Sequence, residues 1–263
     1  MNTNRESRTA KREWRFLVAA SAILLVALAL PLSAQRGGRP GGPPRTAQDT
    51  AALDLTGYWV SVVTEDWKWR MVMPKKGVFD AIPLNPEGRR IGDAWDPAKD
   101  EAAGEQCRAY GAAGIMRLPT RLHITWQDAN TLKIETDTGT QTRLFHFDSV
   151  PPPAEPSWQG YSLAHWEAAA GAARGAATPG GDLQVQTTHL RPGYVRKNGA
   201  PYSDKTVVTE YFDLDTTPNG DQWLTVTTKV EDAQYFRGPY ITTTDFKKLP
   251  DAKGWSPTPC SVR

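Results

Sequence analysis

The sequence predicts a mainly β protein, in which an antiparallel meander closes into a barrel or a curled sheet and carries a short helical insertion. The first observation is a run of three segments between residues 121 and 147 that alternate apolar and polar side chains with period two, as half-buried strands do. The second is that short turn sequences separate these segments. The third is that about ten such segments in one domain would expose strand edges unless the sheet closed on itself.

We expect residues 121–147 to form two successive hairpins. Asp128-Ala129-Asn130 and Asp137-Thr138-Gly139-Thr140 supply residues that tolerate positive φ at the two turns. The apolar pattern then selects a register that pairs Trp126 with Leu132, Ile124 with Ile134, Leu132 with Phe145, and Ile134 with Arg143. One face of these strands is therefore apolar except for Arg143.

The same period-two pattern predicts further strands before and after the hairpins. Pro218-Asn219-Gly220 indicates a turn between two of them, and we expect Phe212 to face Leu224, Glu210 to face Val226, and Val208 to face Thr228. The predicted strands outside the hairpins cover residues 55–63, 67–73, 158–167, 183–190, 206–214, 222–230 and 240–247.

Residues 74–120 interrupt the strand pattern and predict a helical insertion over one end of the sheet. Asn85-Pro86-Glu87 combines a cap, a first-turn proline and a first-turn acid, and Asp96-Pro97 repeats the device. We therefore expect two helices, at about residues 86–95 and 97–109.

The first 34 residues are typical of an export signal. A basic stretch precedes an apolar run from Phe16 to Leu32, and Ala34 follows as a small residue at the expected cleavage site. An uncleaved anchor is the alternative, because about 17 apolar residues reach the lower limit for a membrane span. Residues 35–52 are rich in Gly and Pro and predict a flexible tether, so a single barrel-like domain is expected over 53–263. The predicted location is periplasmic or secreted.

Charge excludes some partners once the signal is set aside. The chain has 31 Lys and Arg and 29 Asp and Glu, and residues 35–263 hold 26 and 27 of them, a net charge of about −1. We therefore expect no nucleic-acid partner and no membrane span beyond the N-terminal signal or anchor, and the composition suggests no membrane-surface partner either.

Cys107 and Cys260 are the two cysteines of the chain. An even count in an exported protein favours one disulfide, which would tie the region before the hairpins to the C-terminal tail. Two unpaired thiols are the alternative. Catalytic thiol chemistry is disfavoured because no His lies near either Cys in the sequence.

Two resemblances add to the fold prediction. Gly57-Tyr58-Trp59 resembles the Gly-x-Trp entry of lipocalins, and Thr244-Asp245-Phe246 loosely resembles their second motif. The resemblance to lipocalins implies an up-and-down barrel that holds an apolar ligand. A second pattern, formed by Leu84-Asn85-Pro86-Glu87, Cys107, Gly111, Met116 and Pro119 with the hairpins, is similar to families of uncharacterised exported bacterial proteins and implies no function.

Arg143 is the candidate anchor of a ligand site. An Arg on an apolar barrel face can hold a ligand carboxylate through a bidentate, charge-assisted contact, with Trp59, Trp126 and Phe145 as the wall. An internal salt bridge with Glu210 or Asp245 is the alternative.

His189 and Glu210 are candidates for acid/base catalysis. Each shares a face with apolar residues, and a neighbouring carboxylate can hold an imidazole for proton transfer; hydrogen-bonded packing is the alternative. The remaining histidines, His123, His146 and His165, have no metal-ligand spacing. We expect neither a metal nor a cofactor, because phosphate-binding and dinucleotide motifs are lacking in the sequence.

Three functional hypotheses follow. The first is an exported lipocalin-like module that binds a small, largely apolar ligand able to carry an acidic group. The second is a cofactor-independent acid/base enzyme of the isomerase or hydratase type on the same barrel. The third is a structural protein held near the inner membrane.

Trp67 and Trp69 lie two residues apart on a predicted strand. They could stack on a sugar or line an apolar pocket, or they could fill the core.

Overall fold

Nine strands close into a barrel in the computed structural model of the protein, which describes residues 45–167 and 181–262. The signal peptide predicted at 1–34, most of the tether and the Ala/Gly-rich residues 168–180 lie outside the described residues. The strands are β1 (Gly57–Val62), β2 (Arg121–Asp128), β3 (Thr131–Thr136), β4 (Gln141–His146), β5 (Tyr161–Trp166), β6 (Leu183–Thr188), β7 (Gly193–Arg196), β8 (Ala200–Tyr202), β9 (Val207–Thr216), β10 (Gln222–Glu231) and β11 (Tyr240–Leu249).

The closed sheet confirms the predicted fold class. Its order around the barrel is β1, β11, β10, β9, β6, β5, β4, β3 and β2, with β2 returning to β1. Neighbours are antiparallel except β4 and β5, which run parallel and share only the pairs Phe145 with Ser162 and His146 with Leu163. The β4–β5 seam is therefore the shortest junction of the barrel, and it departs from a pure meander.

The predicted register is confirmed in the two hairpins and wrong between β9 and β10. Trp126 pairs with Leu132, and a bulge at Gln127 next to this pair gives Thr131 the partner Asp128. Ile134 pairs with Arg143. In β9–β10 the observed partners lie two residues further along β10, namely Val226 for Phe212, Thr228 for Glu210 and Val230 for Val208. The register differs because a five-residue loop joins β9 to β10. The Thr217 amide closes this loop by donating to the Asp221 carbonyl at 2.9 Å. A shift of two keeps the same side chains facing inward.

Residues 67–73 do not form the predicted strand. They contain α1 (Trp67–Arg70), a single helical turn that follows Asp66, whose φ is 50°. The alternation of apolar and charged residues is present, but β1 already pairs with β11 on one side and with β2 on the other. No edge of β1 is free for another strand, so the chain turns away from the sheet.

The helical insertion contains α2 (Pro86–Ala94) and α3 (Pro97–Ala102). The caps work as predicted, because Asn85 Oδ1 accepts the Gly88 amide at 2.8 Å and Asp96 Oδ1 accepts the Ala98 amide at 3.0 Å. α3 ends seven residues before its predicted end at 109, since Gly104 adopts a φ of 72° that breaks the helix. Two 3₁₀ turns follow, Gln106–Ala109 and Ile115–Arg117. None of the described helices is long and apolar enough to cross a membrane.

The small hairpin of β7 and β8 was not predicted. Its strands have four and three residues, too few to show a period. It packs with the insertion at the barrel end where β1 ends and β2 begins, which we call the upper end. There it forms an apolar cluster with the insertion and with 232–240, whose largest members are Phe79, Leu84, Tyr202, Phe236 and Tyr240.

Residues 45–55 lie against the opposite, lower end, where β5 ends and β6 begins. The Ala47 amide donates to Asn130 Oδ1 at 2.8 Å, and the Gln48 amide donates to the Ala129 carbonyl at 3.1 Å. The Trp166 indole donates to the Ala47 carbonyl at 3.2 Å. Residues 45–50, which the sequence assigned to the tether, are thus hydrogen-bonded to the barrel.

The disulfide between Cys107 and Cys260 is present, with Cα atoms 5.1 Å apart, which confirms that prediction. Cys107 lies in a 3₁₀ turn rather than in a helix. The C-terminal tail runs along the outside of the barrel from β11 to this bond. On the way Trp255 packs against Tyr58, and Thr258 forms a bridge with Thr138.

We predict that Cys260→Ser lowers the free energy of unfolding by about 2–5 kcal/mol under oxidising conditions, because the bond closes a long loop of the unfolded chain. Urea denaturation measures the loss, and reduced wild-type protein should match the variant. Two titratable thiols per chain in the unfolded, unreduced protein would contradict the account.

Candidate functional site

Arg143 and Glu210 form a salt bridge inside the barrel. Arg143 is on β4 and Glu210 on β9, and the two guanidinium nitrogens Nη1 and Nη2 donate to the two carboxylate oxygens at 2.9 and 2.5 Å. Both side chains are fully buried. Of the two salt-bridge partners considered for Arg143, Asp245 instead faces outward and accepts from Thr225 at 3.0 Å.

Hydroxyl and aromatic groups surround this pair. Arg143 Nη2 lies 3.4 Å from Thr187 Oγ1, and the Thr187 and Ser162 hydroxyl oxygens are 2.7 Å apart. The guanidinium lies 4.9 Å from the centre of the Phe145 ring, which packs edge-on against Phe212. Because the bidentate face of Arg143 is occupied by Glu210, Arg143 holds the core together in the described structure.

The predicted wall residues Trp59 and Phe145 lie in the barrel interior, whereas Trp126 lies at the lower end. Trp59 is fully buried, and its indole donates to the Leu55 carbonyl at 2.9 Å. Phe145 is equally buried in the core. Trp126 is partly buried at the lower end, where it packs on Phe147 at a centroid distance of 5.6 Å. The four predicted ligand residues therefore do not enclose one site.

The structure does not bring His189 and Glu210 together as an acid/base pair. His189 lies one residue beyond the end of β6 with a φ of 55° and an exposed side chain. Its Nδ1 is 3.2 Å from the Thr188 hydroxyl. Glu210 is fully buried and bound by Arg143. The strand ends before it can direct the imidazole into the interior, which is why the shared face inferred from period two does not form.

An open groove of about 450 Å³ lies on the outside of the barrel near the upper end. β1 and the residue after it supply one side of it, and the loops at 119–121 and 137–138 supply the other. We call it the valine groove. Its apolar lining residues are Val60, Val62, Val63, Met71 and Pro119, and its polar lining residues are Ser61, Thr120, Arg121, Asp137 and Thr138.

The polar side of the valine groove is organised around Asp137. The carboxylate oxygen Oδ1 accepts the Thr120 hydroxyl at 2.9 Å and the Arg121 amide at 2.8 Å. Arg121 Nη1 is 3.7 Å from Oδ2, and Arg121 Nε has no hydrogen-bond partner among the described residues. Gly254 of the tail lies against this guanidinium, where a Cβ would approach Nη2 to 2.8 Å. Nε is buried, but the side chain as a whole is partly exposed, so Arg121 is a cation only loosely engaged by Asp137.

A second pocket of about 380 Å³ lies at the lower end, between residues 45–50 and β5. Phe147 and Trp166 stack in its wall at 5.4 Å. Carboxylates gather at the same end of the barrel. Burial, a hydrogen bond with Asp182 and the charges of Asp182, Asp215 and Glu167 raise the pKa of Asp213 to about 6.

Cations gather at the upper end. A small, partly enclosed cavity of about 20 Å³, which we call the arginine pocket, is lined by Trp69, Arg70, Met73, Gly114, Arg117, Leu118, Val195, Arg196, Lys197 and Tyr240. Burial and the neighbouring Arg117 lower the pKa of Arg70, and Glu65 opposes them. Arg117 donates to Asp66 at 2.8 Å and to the Thr243 carbonyl at 2.9 Å.

Neither the valine groove nor the arginine pocket was predicted from the sequence. Each is built from segments far apart in the chain, so no local spacing reveals it. One signal was present nevertheless. Residues 67–76, Trp-Lys-Trp-Arg-Met-Val-Met-Pro-Lys-Lys, interleave cations with aromatic and aliphatic residues, although the net charge of 35–263 is close to zero.

We predict that Glu210→Leu lowers the free energy of unfolding by about 3–5 kcal/mol, because it leaves the buried Arg143 charge without a partner. The double variant Arg143→Met with Glu210→Leu should recover most of that loss. Urea denaturation of the wild type, both single variants and the double variant measures the coupling. Strictly additive losses, or a single-variant loss below about 1 kcal/mol, would show that the pair does not hold the core.

No family model, curated protein or solved structure matches this chain. The lipocalin-like entry at Gly57-Tyr58-Trp59 and the similarity to exported bacterial proteins therefore stay predictions. The barrel itself is a structural finding that does not depend on either resemblance.

Proposed function

We propose that this protein is an exported, lipocalin-like barrel module that binds a small, largely apolar ligand carrying an acidic group, and that it does so in the valine groove. The observation that carries the proposal is the groove itself, an apolar concavity of about 450 Å³ with polar groups along one side. Ligand sites in proteins are commonly of about 300–1,000 Å³ and combine an apolar lining with few polar groups.

The apolar side of the groove suits an aliphatic or aromatic body. Three valines, a methionine and a proline supply it, and each methylene group buried against such a surface contributes about 0.8 kcal/mol. Burial of several carbons would thus contribute enough free energy to offset part of the translational and rotational entropy that the ligand loses on binding. The nearby Trp67 and Val72 side chains extend the exposed apolar surface beyond Met71.

The polar side suits an acidic group. The Arg121 side chain is 36 % exposed at the wall of the groove, and its Nη1 is 3.7 Å from Asp137 Oδ2, beyond hydrogen-bonding distance. The Thr120 hydroxyl and the Arg121 backbone amide donate to Asp137 and fix its carboxylate beside the guanidinium. A ligand carboxylate at this position would form a charge-assisted hydrogen bond with the guanidinium.

We predict that Val62→Trp, which fills the groove, weakens binding of a medium-chain fatty acid by at least about tenfold. The matched control is Leu163→Trp, at an exposed position on β5 away from the groove. Arg121→Met should weaken the acid by about tenfold, the loss of one charged hydrogen bond, and should leave the alcohol of the same chain length nearly unchanged. Fluorescence titration measures both ligands.

Native mass spectrometry of the exported protein provides the second test. We expect a bound small molecule that is released from Val62→Trp and kept by Leu163→Trp. The proposal fails if both tryptophan variants bind the fatty acid as the wild type does, or if Arg121→Met affects the acid and the alcohol equally.

A further inference from the structure

We propose that residues 67–76, which we call the docking loop, bind the upper end of this protein to an anionic lipid bilayer surface. This interaction goes beyond the ligand binding proposed above, because it concerns a macroscopic surface rather than a molecule in the groove. Three observations carry it: a concentration of exposed apolar side chains, exposed lysines beside them, and the arginine pocket immediately behind the loop.

The docking loop concentrates exposed apolar surface. Trp67, Met71 and Val72 are 63, 60 and 60 % exposed, whereas the other exposed large apolar residues of the described chain, Val150, Leu163 and Ile241, come from three separate segments. The α1 turn produces the arrangement, because the Met71 amide donates to the Trp67 carbonyl at 2.8 Å. Residues four apart lie on one face of a helical turn. Trp67 and Met71 therefore project together from the protein.

Exposed lysines accompany this apolar face. Lys68, Lys75 and Lys76 are exposed within the same ten residues. Glu65 and Asp66, the carboxylates that precede the loop, are bound to Arg70 and Arg117. Asp80, which follows it, is exposed. An apolar face bordered by lysines is the composition of segments that insert shallowly into the headgroup region of anionic membranes.

The arginine pocket supplies hydrogen-bond donors for a headgroup oxygen. Arg70 is buried, and its Nη2 has no hydrogen-bond partner among the described residues. Arg196 is also buried, with the Asp80 carbonyl as an acceptor at 3.3 Å, and its guanidinium lies 5.4 Å from the centre of the Trp69 ring. A cavity of about 20 Å³ admits a water molecule or a single anionic oxygen. Guanidinium donors fit phosphate oxygens closely.

Carboxylates and cations gather at opposite ends of the barrel, which would orient the molecule on a charged surface. The carboxylates around Asp213 lie at the lower end, whereas the docking loop and the arginine pocket lie at the upper end. A negatively charged surface would attract the upper end and repel the lower end. The exposed aliphatic residues Met71 and Val72 distinguish this surface from a nucleic-acid site, where bases stack on aromatic rings and cations contact phosphates.

The experiment measures sedimentation of the full chain with vesicles of phosphatidylcholine, with and without phosphatidylglycerol. All variants carry the same N-terminal residues, so the apolar run at 16–32 contributes equally to each. The triple variant Trp67→Ser, Met71→Ser, Val72→Ser removes the apolar contact. The triple variant Lys68→Gln, Lys75→Gln, Lys76→Gln removes the charge. Val150→Ser with Leu163→Ser is the matched control.

We expect the apolar variant to bind phosphatidylglycerol vesicles roughly ten- to a hundredfold more weakly than the control. The lysine variant should lose about fivefold per lysine at low salt and approach the binding seen with phosphatidylcholine alone. Arg70→Met should weaken binding to phosphatidylglycerol vesicles while the binding to phosphatidylcholine stays constant. Thermal unfolding checks that these substitutions leave the fold intact, above all Arg70→Met, because Arg70 is buried.

The inference is overturned if the apolar and lysine variants sediment as the control does, or if binding is indifferent to phosphatidylglycerol. Its failure is separable from failure of the proposed function. Val62→Trp blocks the groove and should leave vesicle binding intact, whereas the lysine variant should leave fatty-acid binding in the groove unchanged.

Discussion

The Arg143–Glu210 pair is the interaction on which the barrel depends. Arg143 is on β4 and Glu210 on β9, and the strands between them are β5 and β6. Ser162 on β5 and Thr187 on β6 join the same polar cluster through their hydroxyls. The cluster therefore links four consecutive strands from inside. It does so where the sheet is weakest, since β4 and β5 share only two residue pairs.

A buried ion pair of this kind constrains function as well as structure. The desolvation of two charges is offset only while both partners and their hydrogen bonds are in place. A ligand acid that entered the interior and took Arg143 would leave the Glu210 carboxylate buried without its partner. The proposed ligand therefore binds outside, in the valine groove, where Arg121 is only partly engaged by Asp137. The outer face of β1 and the segments at 119–121 and 137–138, rather than the barrel interior, shape the candidate site.

Local pattern predicted the parts of the fold that local chemistry controls. The hairpins of 121–147 have their predicted register because turn residues and alternation agree. α2 begins where Asn85 caps it. Trp67–Met73 carries the alternation of a strand and is not one, because closure of the barrel by β11 and β2 uses both edges of β1. That closure is a property of the whole chain and has no local signal.

The candidate site was less predictable than the fold. Period two placed Arg143 correctly on the apolar face, but the choice between Glu210 and Asp245 as its partner depends on how distant strands meet. The valine groove joins residues near 60, 71, 120 and 137, which come together only after the barrel closes and the insertion folds over it. The mixture of basic and apolar residues in the docking loop is apparent in the sequence. The same residues are equally consistent with an amphipathic strand.

A crystal structure of the protein soaked with a medium-chain carboxylic acid tests the central claim most directly. The account predicts ligand density in the valine groove, with the carboxylate at Arg121 and the Arg143–Glu210 salt bridge intact. Density inside the barrel, with Arg143 turned from Glu210 to the ligand carboxylate and Phe145 displaced from Phe212, would contradict it.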